Sequence, residues 1–555
     1  MKQIIKGILT LLNTKEKASM GRLILFDLLI SILDIAFLGL LLLVIGFYTS
    51  GKEINPRVMF LPDSWFNKDS ISLISVFLIL FSLKNWFGYL ILRFQHHFFY
   101  GVASRLSKKN IIHFMKDDYI RFVHVDSSVL IRQISQQPIE FSHYILTNTQ
   151  QIISQSTLIL FTVIAILIYQ PVLFLLLLLL LMPPIIVLAY FIKRRSKQVR
   201  VHTKLASEKT IQHLQESLAG FVESNIYDKS YFLTNRYYNY QQQLNENLAT
   251  QQTIQSLPSR LVEVFAVFGF FVLIVINKWS VGAPVIDLLS IGIFMAAAYK
   301  IIPGIIKILN SSGQIKTYEF TLHDLLTINE PVVKSNDVIP DHIVSIRFDK
   351  VSFNYKDHNI LDDVSFTIDK GDMAGVSGVS GRGKTTLINL LLGFLKADSG
   401  DILINENLSD IGQRKQYWKR IAYIKQQNYF IHDTILKNIT LSDDDADHEK
   451  LAGVIAICGL NALLSGNAEG LNKVIRENGK NLSGGQRQRV MLARALYHDF
   501  DMLIMDEPFG EMDQQAEEVI LVQLKQLAAQ GKIILFVTHN AASLAYCNKI
   551  VSFNE

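Results

Sequence analysis

The long apolar runs that crowd the first 310 residues constrain this chain more than any other feature. Six stretches reach the length of roughly twenty mostly apolar residues that a helix needs to cross a bilayer: about 22–48, 71–93, 150–169, 172–193, 257–279 and 284–309. A backbone in lipid must satisfy its own polar groups, so runs of this length are read as transmembrane helices. Hydrophobic residues make up 50% of the 555-residue chain and charged residues only 19%. That average conceals a split, because the sequence after the last run has the mixture of an ordinary soluble domain.

The connections between the runs are unequal. The third and fourth runs are joined by a turn at Gln170-Pro171, the fifth and sixth by NKWSVGAP, and the first and second by about 49–70. The other two, about 94–149 and 194–256, are long, polar and poor in Gly and Pro. They keep helical periodicity and are read as helices that leave the membrane and return. They also hold Arg105, Lys108, Lys109, Lys116, Arg121, Arg132, Arg194, Arg195, Lys197 and Arg200, which predicts that they and both termini face the cytoplasm. This explains the modest net charge of +5 without a nucleic-acid partner, since no basic run is interleaved with aromatics. Pro183-Pro184 is expected to kink the fourth span.

At the N-terminus Ile4, Ile5, Ile8, Leu9, Leu11 and Leu12 recur at helical spacing among Lys2, Lys6 and Lys15. That predicts a short amphipathic helix along the membrane surface rather than a signal peptide. Cys458 and Cys547 fit neither a disulfide framework nor a metal site.

A Pro-, Asn- and Asp-rich linker is expected at 327–342, between a membrane domain at 1–326 and a second domain at 343–555. In the second domain β-rich runs such as DMAGVSG, DMLIMDE and KIILFVTHN alternate with helical ones. The expected fold class is therefore multi-domain: an all-α six-helix transmembrane domain plus an α/β domain with a largely parallel sheet.

Two motifs define the chemistry of that domain. Gly378-Val379-Ser380-Gly381-Arg382-Gly383-Lys384-Thr385 follows an apolar strand and opens a helix at Thr386, the context of a phosphate-binding loop. Its glycines let backbone N–H groups turn onto phosphate oxygens at the positive end of a helix. Lys384 can reach the β- and γ-phosphates of ATP, and the Thr385 hydroxyl can ligate Mg²⁺. Asp501 to Glu507 is an apolar strand ending in two acids. Asp506 suits the magnesium shell, and Glu507 can polarise an attacking water.

Asn481-Leu482-Ser483-Gly484-Gly485-Gln486 then resembles the signature of the ABC ATPase family. The resemblance implies that Ser483, Gly484, Gly485 and Gln486 touch the γ-phosphate of ATP bound to the opposite subunit. It also implies that Tyr355 stacks on adenine and Gln426 senses the nucleotide and helps hold Mg²⁺. Asp513 would close the loop after the two acids, and His539 would contact the γ-phosphate. Glu477 fits an exporter element just before the signature. The loop departs from the family's Ser-Ala-Leu-Asp, reading Gly510-Glu511-Met512-Asp513. The sequence also ends on the strand KIVSFNE, where the family carries a further strand and helix.

Six spans fused ahead of one ATPase domain resemble an exporter-type half-transporter in a cell membrane. It would pair with a second copy of itself or with a related half-transporter. The stretches Tyr299–Pro303 and Leu322–Leu326 are similar to bacterial lipid-linked oligosaccharide flippases; peptide and amphipathic drug or lipid exporters share the architecture. A rival reading is an ATP-gated channel or regulatory subunit, which would more often have lost a hydrolytic residue. Within the spans Asp27, Asp34, Lys84, Glu263, Asp287 and Lys300 are candidates by their cost in lipid, with Asp34 and Lys84 either a structural pair or a substrate contact.

Overall fold

The computed structural model describes residues 2–50, 71–116, 119, 125–169, 171–279, 288–328, 340–355, 358–379, 381–466 and 468–553. The chain divides into two compact units. One comprises 1–117 and 123–332, the other 118–122 and 333–555. The linker expected at 327–342 lies largely outside the described residues.

The described residues of the first unit are almost all helical. A short helix α1 (Lys2–Leu11) precedes α2 (Thr14–Ser50), α3 (Ser72–Lys116), α4 (Thr147–Tyr169) and α5 (Pro171–Ala219). Then follow α6 (Phe221–Ile226), α7 (Ser230–Trp279) and α8 (Leu288–Ile328). The described part of each of the six apolar runs falls almost entirely on one long helix of this set, and α5 continues through Pro183-Pro184. Helices of 45, 49 and 50 residues reach well beyond a bilayer core, which is what the long polar connections predict. Among the described residues, helices beginning at Thr14, Ser72 and Ser127 pass the length and hydropathy test for crossing a membrane.

The structure adds a partner for the apolar face of α1. Ile4, Ile8, Leu11 and Leu12 are buried in a core with Phe99, Leu106, Phe141, Ile145 and Leu322, so this apolar face is spent on protein. Gly7 permits the approach, since a Cβ there would lie 3.0 Å from Leu322 Cδ2. Only Ile5 and Leu9 stay exposed beside the lysines.

Buried charge in the first unit is paired. Lys84 and Asp34 form an ion pair. Asp27 accepts from Gln95 Nε2 and Gln150 Nε2, both at 2.6 Å, so it is no bystander at a span end. Glu263 is exposed, while Asp287 and the Lys300 side chain fall outside the described residues. In the segment before α4, two π-helical turns (Arg132–Gln136 and Phe141–Leu146) flank Gln137–Glu140. There Arg132, almost wholly buried, pairs with Glu140 at 3.0 Å and Glu208 at 3.3 Å and faces the Phe320 ring. Beside it Lys204 pairs with Asp324 at 2.7 Å.

The second unit is α/β. Its antiparallel sheet pairs β1 (Ser345–Tyr355) with β2 (His358–Asp369) on one side and β4 (Ser399–Ile404) on the other. Its five-stranded parallel sheet runs in the order β8 (Lys549–Phe553), β3 (Met373–Gly378), β7 (Ile533–Val537), β6 (Met502–Asp506), β5 (Ile421–Ile424). Strands β6 and β7 are buried on both faces, which is why MLIMD and IILFV read as unbroken apolar runs rather than alternating ones.

Candidate ATP site

In a parallel sheet the functional loops gather at the carboxyl ends of the strands, and the expected residues stand there. Gly378 ends β3, Asp506 ends β6, Gln426 follows β5 by two residues, and His539 follows β7 by two. The helix α9 (Lys384–Leu391) starts directly from the loop after β3. Its N-cap, Gly383, has φ +88°, and a Cβ there would lie 2.8 Å from Ile360 Cγ2 and 3.0 Å from the Ile360 carbonyl oxygen. Position 383 therefore needs glycine for conformation and for space.

Lys384 is nearly buried. Its ammonium donates to the Gly378 carbonyl at 2.6 Å and lies 2.8 Å from His539 Nε2. An ammonium can only donate, so Nε2 is the acceptor of that bond. Glu507 Oε1 approaches the same nitrogen at 3.0 Å, a contact that becomes an ion pair only on a protonated ring. Gln426 Nε2 donates to Glu507 Oε2 at 2.8 Å. Glu507 itself has φ +50°, a conformation that a non-glycine residue holds at a cost. Its N–H still bonds the Val537 carbonyl at 3.1 Å, so the sheet ladder supports the strained residue.

The Thr385 hydroxyl donates to Asp506 Oδ2 at 3.2 Å. Burial pushes the Asp506 carboxyl above its usual range, against the lowering effect of the Thr385 bond. Burial likewise pushes Lys384 down, opposed by Glu507 and Asp506. Hydroxyl and carboxylate side by side form the all-oxygen donor set that Mg²⁺ prefers, and the desolvated acid gains from a cation.

The other expected residues are placed as follows. Tyr355, at the end of β1, is 47% exposed, with its ring edge-on to Phe353 at 4.9 Å, so a face is available. Val379 and Arg382 are exposed, Gly381 has open space for a side chain, and Thr386 is buried in the first turn of α9. Ser380 lies outside the described residues, as does the side chain of Glu477.

The signature is built separately. Ser483 caps helix α10 (Gly484–Tyr497) in a reciprocal box: the Gln486 N–H donates to its hydroxyl, and Gln486 Oε1 accepts from the Ser483 N–H. Among the described contacts, none joins 483–486 to Lys384 or Glu507. Asp513 caps the next helix, α11 (Gln514–Ala529), accepting from the Ala516 N–H at 2.8 Å. Sequence reasoning missed the partners of the loop between: Arg487, Gln488 and Arg489 all reach 511 or 513.

Residues 361–510 match the family model described as ABC transporter. The matched stretch, which carries the 378–385 loop and Asp506-Glu507, resembles an ABC transporter domain. The whole chain shares its fold with a bacterial Atm1-family ABC exporter solved with ATP bound. The TM-score is 0.78 at 16% identity, over 97% of this chain and 94% of that one. A probable ABC transporter ATP-binding/permease protein of Haemophilus influenzae is 33% identical over 233 residues, 41% of this chain and 42% of that protein. The alpha-hemolysin translocation ATP-binding protein HlyB of Escherichia coli O157:H7 is 31% identical over 228 residues, 40% and 32% of the two chains. This chain thus spans less than half the length of the curated relatives it matches.

Proposed function

We propose that the chain is one half of an ATP-driven exporter that hydrolyses ATP at two composite sites in a dimer. The observation that carries this reading is the convergence of Lys384, Thr385, Asp506, Glu507, Gln426 and His539 at one end of the parallel sheet of the ABC domain. A regulatory or channel subunit that had lost hydrolysis would not retain the whole set. The separate construction of the signature supports the dimer: among the described contacts, none joins its helix end to Lys384 or Glu507.

In this mechanism Lys384 and the amides of the 378–385 loop hold the phosphates, and Tyr355 offers its ring to adenine. Thr385 and Asp506 hold Mg²⁺, with Gln426 beside them; the cation, when bound, neutralises phosphate charge. Glu507, oriented by the Gln426 amide, accepts a proton from the attacking water. His539 stands where it can donate to the γ-phosphate. The ABC domain and both termini face the cytoplasm, and the six long helices sit in a cell membrane with lipid around them.

A mixture of Lys384→Ala and Ser483→Arg chains tests the shared site. In a mixed dimer both lesions fall in one composite site and leave the other intact, whereas each self-pair has two broken sites. Hydrolysis that recovers on mixing supports the reading; activity no higher than that of the separate variants rejects it. Stimulation of the ATPase by lipid-linked oligosaccharide, peptide or amphipathic lipid in proteoliposomes then sorts the cargo.

A further inference from the structure

Burial of Ile4, Ile8, Leu11 and Leu12 turns the other face of α1 outward. There Lys2, Ile5, Lys6, Leu9 and Thr10, with Lys17 from the first turn of α2, line an open groove of about 670 Å³. Lys2 and Lys6 stand one turn apart on the helix, as do Ile5 and Leu9, so ammonium groups and apolar side chains form neighbouring rows.

No carboxylate lines this groove. Glu16, the acid nearest in sequence, is committed elsewhere: its two oxygens accept from Arg105 Nε at 2.6 Å and Nη2 at 2.8 Å, and Oε2 also accepts from the Asn13 N–H at 2.9 Å. Arg105 donates as well to the Leu11 carbonyl at 2.9 Å, which fixes the corner between α1 and α2. Among the described residues, none of Lys2, Lys6 and Lys17 has a carboxylate partner. Like charges one helical turn apart repel, and nothing in the groove offsets them.

The position along α2 selects the kind of anion. Lys17 stands just ahead of the apolar run at about 22–48 on the same helix. Beyond it Gly21 leaves open space at the helix surface, and Leu25 and Leu29 are exposed. A cationic groove therefore opens onto an apolar track that runs along a helix long enough to cross a membrane. A phosphate that carries acyl chains uses both parts; a free phosphate uses only the first.

We propose that this groove binds the head group of an anionic phospholipid, with the three ammonium groups on its phosphate oxygens and Ile5 and Leu9 against the start of its acyl chains. The lipid covers the face of α1 that the protein core leaves bare. The site rests on the reading of the helical unit as embedded in a membrane, and it does not depend on ATP.

The test uses the full-length protein, purified in detergent without nucleotide, and native mass spectrometry to count bound lipid. Phosphatidylglycerol and phosphatidylcholine with the same acyl chains are titrated in turn. Phosphatidylglycerol is expected to bind more tightly. The variant Lys2→Gln/Lys6→Gln/Lys17→Gln is expected to lose that preference by about tenfold or more, since each lysine beside a lipid charge is worth about fivefold. Lys6→Arg keeps the charge and should bind as the unmodified chain does. Lys370→Gln/Lys396→Gln/Lys525→Gln removes as much charge from exposed positions of the second unit and should leave the preference in place. A groove variant that still prefers phosphatidylglycerol overturns the proposal, and so does an equal loss in the second-unit variant. Inorganic phosphate that displaces the lipid at a comparable concentration would overturn it too, by making this a site for free anions. A chain that alkaline carbonate washes off membranes would remove the membrane reading, and the lipid site with it. A chain that stays in membranes while its groove variant keeps the preference removes the lipid site alone.

Discussion

The two units handle buried charge in opposite ways. In the ABC domain, Lys384, Asp506 and Glu507 are brought together at loop ends with their charges incompletely matched: burial pulls Lys384 down and Asp506 up. In the helical unit, Arg132 is matched by Glu140 and Glu208, Lys84 by Asp34, and Lys204 by Asp324. Such imbalance suits a site proposed to receive a polyanion and a cation. A framework whose task is to hold helices together closes its accounts within itself. The comparison predicts which substitutions cost activity alone and which cost the fold.

The largest effect falls at the unbalanced site. Glu507→Gln keeps the size of the side chain and removes the proton acceptor. It is expected to lower ATP turnover by about 10²–10⁴-fold while ATP binding, carried by the 378–385 loop, persists. Turnover by the purified variant beside its nucleotide affinity checks this. Near-normal hydrolysis would remove Glu507 from the role.

The balanced cluster makes the opposite prediction. Arg132→Met leaves Glu140 and Glu208 without their shared partner in a site where burial already raises the Glu140 carboxyl, opposed by Arg132. Losing one member of a buried ion pair costs about 3–5 kcal/mol. The midpoint of thermal unfolding of the helical unit should fall, while nucleotide affinity in the ABC domain stays unchanged. An unaltered midpoint would mean that the cluster contributes nothing to holding the helices, and a change confined to ATP affinity would reverse its assignment.

The same contrast explains what the sequence discloses. The convergence at the strand ends was legible because its residues come as contiguous motifs whose spacing is set by one loop and one strand end: Gly378 to Thr385, and Asp506 next to Glu507. Length alone predicted long helices at the six apolar runs, and three of the described helices are apolar enough to cross a membrane. The Arg132 cluster was not, because its partners stand 8 and 76 residues away and only helix packing unites them. Glu511 stood out as a departure, but its contact with Gly484 and Arg487, 24 residues apart from the latter, needs the loop fold. The amphipathic pattern of α1 correctly named an apolar face without naming what covers it, since protein and lipid read alike in a hydrophobic stripe.

The smallest effect concerns the tips of the long helices, where force must pass between the chemistry and the spans. Sequence spacing puts one tip near 118–126 and the other near 222–229. The first differs from the second in its surroundings. Tyr119 belongs to the second compact unit, and its ring stacks on Phe394 at 4.6 Å, with Phe394 in turn tilted against Trp418 at 5.2 Å. The second tip presents Phe221, Val222, Ile226 and Tyr227 to solvent, with Tyr227 68% exposed. Four apolar side chains on one short helix and its cap are costly to leave wet, and if the proposed dimer forms, this tip is expected to dock beside Gln426. Tyr227→Ala should then leave ATP binding intact and reduce transport per ATP hydrolysed, a change within about tenfold for one exposed aromatic contact. A cysteine at 227 should crosslink to one placed near 426, and the product should run at twice the mass of the chain. A crosslink that forms only within one chain would place the tip on its own ABC domain. Normal transport by Tyr227→Ala, with no crosslink from any position between 222 and 229, would mean that this apolar tip serves something other than coupling.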